Sequence, residues 1–390
     1  MASLITGHAD LIHDIAYDHY GRLLATCSSD QHIRVFSRKS SADPWTFLSA
    51  THAHERNILS LTFAPPQFGT LLASCSEDQS VRIFFSSDNG RAFDRVATLS
   101  DSPGAVHKIA FAKFGGHGLK LATIGTDSVV RLYHAADPSD LRQWHLAVES
   151  EVESGSKRKA QDMQASFSVA WCPAGVVTLP PSSAYNKPSS SSSSNNTFAN
   201  SGVGDLPSRI SALEISERSV EQFVVSAMTR VVVFRKRYYN SQTGSAGPYD
   251  FEECEELPGH EDLVRDVAWA SNAAAGGRYE LIATACKDGY VRIFKLTPRL
   301  SYAAGDTGEM FPTGEIEYDV VLAASFDDHH GEVWKVSWNV SGTVLSSSGD
   351  DGQARFWRAN YRGEWIGIGS LSAEQGHVAD NAGDEGDEER

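Results

Sequence analysis

Histidine, serine and aspartate recur together along this chain: His8 with Ser28 and Asp30, and His330 with Ser347 and Asp351. Gathered in space, one such set could deprotonate a serine hydroxyl through the imidazole and attack a carbonyl, which is hydrolase chemistry. Repetition argues against that reading. Catalysis needs one copy, whereas a buried His–Asp pair that satisfies its own hydrogen bonds is useful wherever a loop must be held. No G-x-S-x-G elbow, P-loop or H-E-x-x-H accompanies the sets. Cysteines stand at 27, 75, 172, 254 and 286 without a C-x-x-C pair, so neither zinc nor a disulfide framework is expected. Cys27 and Cys75 read as small buried fillers in a protein of a reducing compartment. The expectation is a protein that is not an enzyme, with no catalytic, metal or cofactor-binding residues.

The elements that must carry these residues are clearest between Leu257 and Leu296. Gly259-His260 opens the stretch, and a run through Val264, Asp266, Val267 and Trp269 follows. Leu281 to Ala285, the turn Asp288-Gly289 and a last run closed by Phe294 complete it. Short runs rich in Val, Ile and aromatics between turn residues predict antiparallel strands, and Asp-Gly suits a tight hairpin.

The same phrase returns along the chain. Asp30 is followed by Phe36, Asp78 by Phe84, Asp127 by Tyr133, Asp288 by Phe294 and Asp351 by Trp357, with a degenerate copy from Met228 to Phe234. Upstream, strands end in Tyr17, Phe63, Phe111, Trp171, Trp269 and Trp338, and His8, His54, His260 and His330 precede four of them. The long step from 127 to 228 marks an insertion in the fourth repeat. A period of tens of residues means stacked or radial repeats.

With Gly-His at the head and an aromatic at the end of the third strand, these units resemble the WD40 repeat family, although the ends read VF, IF, LY, VF, IF and FW rather than Trp-Asp. The resemblance implies an all-β fold, a β-propeller of six four-stranded blades over residues 1–373. It also implies that the His, Ser and Asp of each blade tie a loop to the hairpin corner.

Composition narrows the partners. The 390 residues carry a net charge of −16 and show no broad basic stripe, so direct nucleic-acid binding is not expected. No apolar run approaches a membrane span, and the first residues lack the pattern of a signal peptide. Lys157-Arg158-Lys159 is too short a basic run to be read as an import signal and is taken as solvated loop charge. Residues 180–207, dense in Ser, Asn, Gly and Pro, and the acidic tail 374–390 are expected to be disordered. A second loop is expected over PRLSYAAGDTGEMFPTGEI.

Counting outer strands exposes a surplus. Each of the six blades has its own candidate, including Trp365 to Leu371 in the last, yet Ser3 to Thr6 has the form of another: SLITGH beside ELPGH. The chain then holds six complete blades and the outer strand of a seventh. Either the N-terminal strand displaces Trp365 to Leu371 and closes a six-bladed ring, or the ring stays open and a partner donates the missing strands. The count favours the open ring, whose uncovered apolar face would demand a partner.

Two stretches carry a closer resemblance. GHADLIHDIAYDHYGRLLATCSSDQHIRVF at 7–36 and SSSGDDGQARFWRANYRGEW near the end resemble the Seh-type nucleoporins, homologues of the Sec-thirteen coat protein. That resemblance implies a scaffold subunit of the Y-shaped complex in the nuclear pore's outer ring, at the nuclear envelope. It implies an open propeller completed by a three-stranded blade from an α-solenoid nucleoporin, contacts with other Y-complex subunits, and service in a vacuole- or lysosome-associated complex acting on the TOR pathway. On that reading Leu4, Ile5 and Thr6 pair with the donated blade, while Ile15, Tyr17, Ile33, Val35, Val336, Trp338, Leu345 and Phe356 border the gap. Two rivals stand beside it: a COPII-type vesicle-coat subunit, and a closed propeller that reads a peptide through its central face.

Overall fold

The computed structural model describes residues 4–88, 90–112, 118–137, 140–153, 165–173, 176–178, 217–236, 251–271, 278–304 and 310–372. The serine-rich stretch 180–207, the basic run at 157–159 and the tail 374–390 lie outside the described residues.

The strands fall into six four-stranded antiparallel sheets. Blade one is β1 (Ile12–Tyr17), β2 (Leu23–Ser28), β3 (His32–Ser37) and β4 (Thr46–His52). Blade two is β5 (Ile58–Phe63), β6 (Thr70–Ser76), β7 (Val81–Ser86) and β8 (Asp94–Leu99). Blade three is β9 (Val106–Phe111), β10 (Leu119–Gly125), β11 (Val129–Ala135) and β12 (His145–Glu151). In blade four β13 (Phe167–Trp171) is followed by a small ribbon, β14 (Val176–Thr178) with β15 (Glu217–Ser219), which brackets the insertion. The blade resumes with β16 (Gln222–Ala227), β17 (Arg230–Lys236) and β18 (Phe251–Glu256). Blade five is β19 (Val264–Trp269), β20 (Glu280–Cys286), β21 (Val291–Ala304) and β22 (Met310–Phe326); blade six is β23 (Val333–Trp338), β24 (Val344–Gly349), β25 (Gln353–Ala359) and β26 (Trp365–Ser372). The fold is a six-bladed β-propeller.

The second strands are almost wholly apolar or small and are buried on both faces, as in β2 (LLATCS) and β6 (TLLASCS). Outer strands such as β4 alternate and face solvent on one side. Inner strands pack in chain order, β1 on β5, β5 on β9, β9 on β13, β13 on β19 and β19 on β23. Each of these junctions holds an apolar core: Ile33, Val35, Leu61 and Phe84 between blades one and two, and Ala285, Val291, Val336, Leu345 and Trp357 between five and six. Among the described residues the five apolar cores lie at those five junctions, and none joins blade six to blade one.

The hairpin corners follow one geometry in five blades. In blade one Cys27 pairs with Ile33 and the chain turns through Ser29, Asp30 and Gln31, with Gln31 in the left-handed region at φ 67°. Gln79, Ser128, Gly289 and Gly352 hold the same place with φ 69°, 58°, 87° and 66°. Blade four differs: Ala227 pairs directly with Arg230, so Met228 and Thr229 form a shorter loop and the aspartate position is lost. This is the physical content of the degenerate repeat.

One expectation is corrected. The stretch expected as a second loop in blade five is instead the far end of a long hairpin, since β21 and β22 stay paired as far as Ala304 and Met310. Its prolines and glycines read as turn residues, but beyond Leu296 the sheet narrows to two strands, and a proline such as Pro298 sacrifices no ladder bond on its outward edge. Of the two resolutions for the surplus N-terminal strand, the structure does not take the one in which it displaces Trp365 to Leu371. Leu4, Ile5 and Thr6 carry no strand pairing, and β26 keeps its place as the outer strand of blade six. An outer strand has nothing to pair with until the strand inside it exists.

Candidate partner interface

The repeated histidines sit just ahead of the inner strands and reach across to the hairpin corners. His8 Nδ1 lies 2.8 Å from Asp30 Oδ2 and its Nε2 2.8 Å from Thr26 Oγ1. His54 repeats this with Asp78 at 2.9 Å and Ser74 at 2.8 Å. In blade six the residue that does so is His329, not His330: it meets Asp351 at 2.9 Å and Ser347 at 2.8 Å. His330 instead occupies a left-handed turn at φ 51°. In blade one the hydroxyl partner is Thr26 rather than Ser28, whose own hydroxyl donates to Asp10 O and accepts from Asp30 N–H.

Burial lowers the pKa of His54, keeping the imidazole neutral, so that it can donate to Asp78 and accept from Ser74. Burial alone would raise the Asp78 carboxyl, but its bonds from His54, Ser80 and the Glu55 N–H hold it well below the usual carboxylate range. These triads have the order of a charge-relay set without its access. Ser74 and Thr26 are fully buried, and Ser347 also accepts from Trp357 Nε1 at 2.9 Å. No carbonyl substrate can approach a hydroxyl sealed in this way. Blade five breaks the pattern: Asp288 is turned onto Arg292 at 2.7 Å, and His260 keeps Thr284 alone at 3.0 Å.

A second constellation escapes a reading based on turns. Three residues before the aromatic that closes each inner strand stand Asp14, Ser60, Lys108, Ser168, Asp266 and Lys335. They line the propeller axis, helped by bulges next to Asp14, Ser60, Asp266 and Lys335. Asp14 accepts from Ser60 Oγ at 2.8 Å, from Lys335 Nζ at 2.9 Å and from Lys108 Nζ at 3.4 Å. Asp266 accepts from Ser168 Oγ at 2.7 Å and from the Val336 N–H at 3.3 Å. Burial alone would raise the Asp14 carboxyl, but Lys108 and Lys335 outweigh it and hold the pKa well below its ordinary value. The offset from the closing aromatic was the available sequence signal for this ring.

Above the axis, at the mouth near the starts of the inner strands, lies a cavity of about 520 Å³ lined in part by Arg56, Glu77, His107, Arg265 and Trp334. Arg265 there is already paired with Glu332 at 2.9 Å and stacked on Trp334 at 4.4 Å.

Among the described residues, blades one and six hold most of the large apolar side chains left exposed. Ile15 is 52% and Tyr17 56% exposed on blade one, with Phe47 and Leu11 nearby in the chain; Ile366, Ile368 and Leu371 stand out on blade six. Tyr17 keeps one ring neighbour, Trp45, at 5.9 Å. The expected border residues therefore divide. Ile15 and Tyr17 are exposed, and half-buried Phe356 alternates with Trp357, which packs toward blade five. Ile33 and Val35 are buried against blade two, and Val336 and Leu345 against blade five, on the opposite faces of their sheets. Trp338 is half-buried and donates to Ala268 O of blade five at 3.1 Å. The two-residue alternation places Arg34, which donates to Thr6 O at 3.4 Å, and Phe36 on the face that Ile33 and Val35 do not occupy. Ile5 is 88% exposed.

A propeller of this kind with repeated His–Asp corner ties is a WD40-repeat protein. The model of the WD domain, G-beta repeat, matches residues 2–37, 45–84, 251–295 and 321–358, leaving out blade three and most of blade four, which carries the insertion. Over nearly the full length the chain is 34% identical to Nucleoporin SEH1 of Saccharomyces cerevisiae, covering 95% of this chain and 99% of the yeast protein. It is 31% identical to Nucleoporin seh1 of Schizosaccharomyces pombe, covering 95% and 96%, and 32% identical to human Nucleoporin SEH1, covering 95% and 87%. The chain belongs to the SEH1 family of nucleoporins, proteins of the nuclear pore.

Proposed function

We propose that this protein is a scaffold subunit of the nuclear pore's outer-ring Y complex, and that its ring is open between blades six and one. An α-solenoid nucleoporin fills the gap with a three-stranded blade. The observation that carries the reading is the pair of exposed apolar sheet faces on the two terminal blades, at the one junction where the described residues hold no apolar core. Sheet faces of that composition bury themselves against another layer. Leu4, Ile5 and Thr6 supply the fourth strand once the donated strands give them an edge to pair with. The role is structural: the groups that resemble a catalytic set are spent on holding corners.

Co-elution of the purified chain with α-solenoid nucleoporins of the pore, compared with solenoids of vesicle coats, tests the assignment. Stable co-elution with a pore solenoid and a rise in melting temperature are expected, because a ligand that binds only the folded state stabilises it. Capture by a coat solenoid would move the protein to vesicle transport, and capture by a TOR-linked solenoid would add the vacuolar assembly. A lone monomer indifferent to all of them would favour a closed ring that reads peptides at its mouth. A chain beginning at Gly7 should bind its solenoid more weakly, and unchanged affinity would remove residues 4–6 from the mechanism.

A further inference from the structure

The axial ring specifies the blade that fills the gap. Side chains at the ring position stitch three of the inner strands to the next. Asp14 accepts from the Leu61 N–H of blade two at 3.4 Å, Ser168 from the Val267 N–H of blade five at 3.4 Å, and Asp266 from the Val336 N–H of blade six at 3.3 Å. The equivalent N–H of blade one belongs to Ile15. It has no preceding blade among the six and turns onto its own Asp14 at 3.0 Å.

The lysines follow a second rule. Lys108 of blade three reaches past blade two to Asp14, and the intervening ring residue is Ser60, small enough to lie beneath the lysine and itself bonded to Asp14 at 2.8 Å. Lys335 of blade six reaches Asp14 from the other side at 2.9 Å, across the junction where one more blade would stand. Asp14 thus holds one lysine from each side, and among the described residues no hydroxyl bonds it on the Lys335 side as Ser60 does on the other.

Building on the open-ring reading above, we propose that the partner's innermost strand places a serine-sized hydroxyl side chain at that position, lying under the Lys335–Asp14 pair and accepting the Ile15 N–H. A large apolar or basic residue there would separate Lys335 from Asp14 and leave a carboxylate that is only 7% exposed with Lys108, at 3.4 Å, as its one remaining cation. A hydroxyl both donates to the carboxylate and accepts from the amide, as Ser168 does.

The test fuses a copy of the first three strands of blade two (residues 53–86) ahead of Leu4 in the full chain, so that residues 4–6 follow as its outer strand. Two versions differ only at the copied ring position: serine retained, or Ser60→Leu in the copy alone. Thermal unfolding is followed for both and for the unfused chain, with tyrosine solvent exposure reporting the burial of Tyr17. The serine version should melt about 5 °C above the unfused chain and protect Tyr17, and the leucine version should lose most of that gain. Introducing Lys335→Met into both fusions should shrink the difference between them, since the pair under which the serine lies is gone. Protection of Tyr17 with equal gains for serine and leucine would overturn the ring inference while leaving the open gap intact. Failure of both fusions to protect Tyr17 and to raise the melting temperature would overturn the open-gap reading and this inference with it.

Discussion

The junction between blades four and five and the free faces of blades one and six are built from the same strand pattern, yet they end in opposite states. At the former, Val224, Val233, Val264, Trp269 and Phe294 meet in one continuous core. Phe223, on the other face of blade four, stacks on Phe234 at 5.3 Å with no exposed surface. At the latter, Ile15, Tyr17, Ile366 and Leu371 occupy comparable apolar positions and remain about half exposed. The difference lies in what stands opposite rather than in residue type. Apolar area contributes only when another surface removes it from water, at roughly 25 cal/mol per Å².

The comparison can be broken most forcefully at the packed side. Phe223→Ala should cost about 3–5 kcal/mol, from lost burial and an unfilled cavity, read as a lower denaturant midpoint at unchanged slope. Next in size is His54→Ala, which leaves Asp78 and Ser74 without their partner in a buried corner and should cost roughly 2–3 kcal/mol. A loss below the effect of an ordinary surface substitution would show that the corner ties are dispensable.

Acid probes the same contrast. Burial, followed by the charge of Arg292, lowers the pKa of His260 from 6.5 to about 4. The unfolded chain therefore takes up a proton below pH 6.5 that the folded chain refuses until about pH 4. The stability this residue contributes is present above pH 6.5 and is lost as the pH falls through that window, to at most roughly 3 kcal/mol. Melting temperatures across pH 7 to 4 should fall, and His260→Gln should flatten part of the slope. An unchanged slope would mean that the imidazole is not held neutral by the fold.

The smallest effects on the isolated protein are expected at the free faces. Ile15→Ser and Ile366→Ser should each shift stability by no more than about 0.5 kcal/mol. In the presence of the solenoid partner the same changes should weaken binding about tenfold, or roughly 1.4 kcal/mol. Equal losses with and without partner would place these residues in a closed interface and erase the distinction between the two regions.

Much of the fold is legible in the chain because each blade is a local object. Strand, turn and closing aromatic follow one another within a few dozen residues, so the Asp30, Asp78, Asp127, Asp288 and Asp351 corners announce the repeat without tertiary information. What escaped was register at single-residue scale. His330 and His329 are adjacent, and only the left-handed turn at His330 decides which one reaches Asp351. Ile33 and Val35 were expected at the gap, but the pleat turns them toward blade two. The paired extension of β21 and β22 was hidden by prolines that a two-stranded ribbon tolerates.

By itself, then, the sequence determined the repeat, the number of blades and the family, since these depend on residue types at fixed local spacing. The tertiary structure decided which face of each strand is core and which histidine is the tie. It also decided how Asp14 shares one axis with Lys108, 94 residues along the chain, and with Lys335, 321 residues along it. Those outcomes depend on distances between blades, and such distances exist only after every blade has packed against its neighbour.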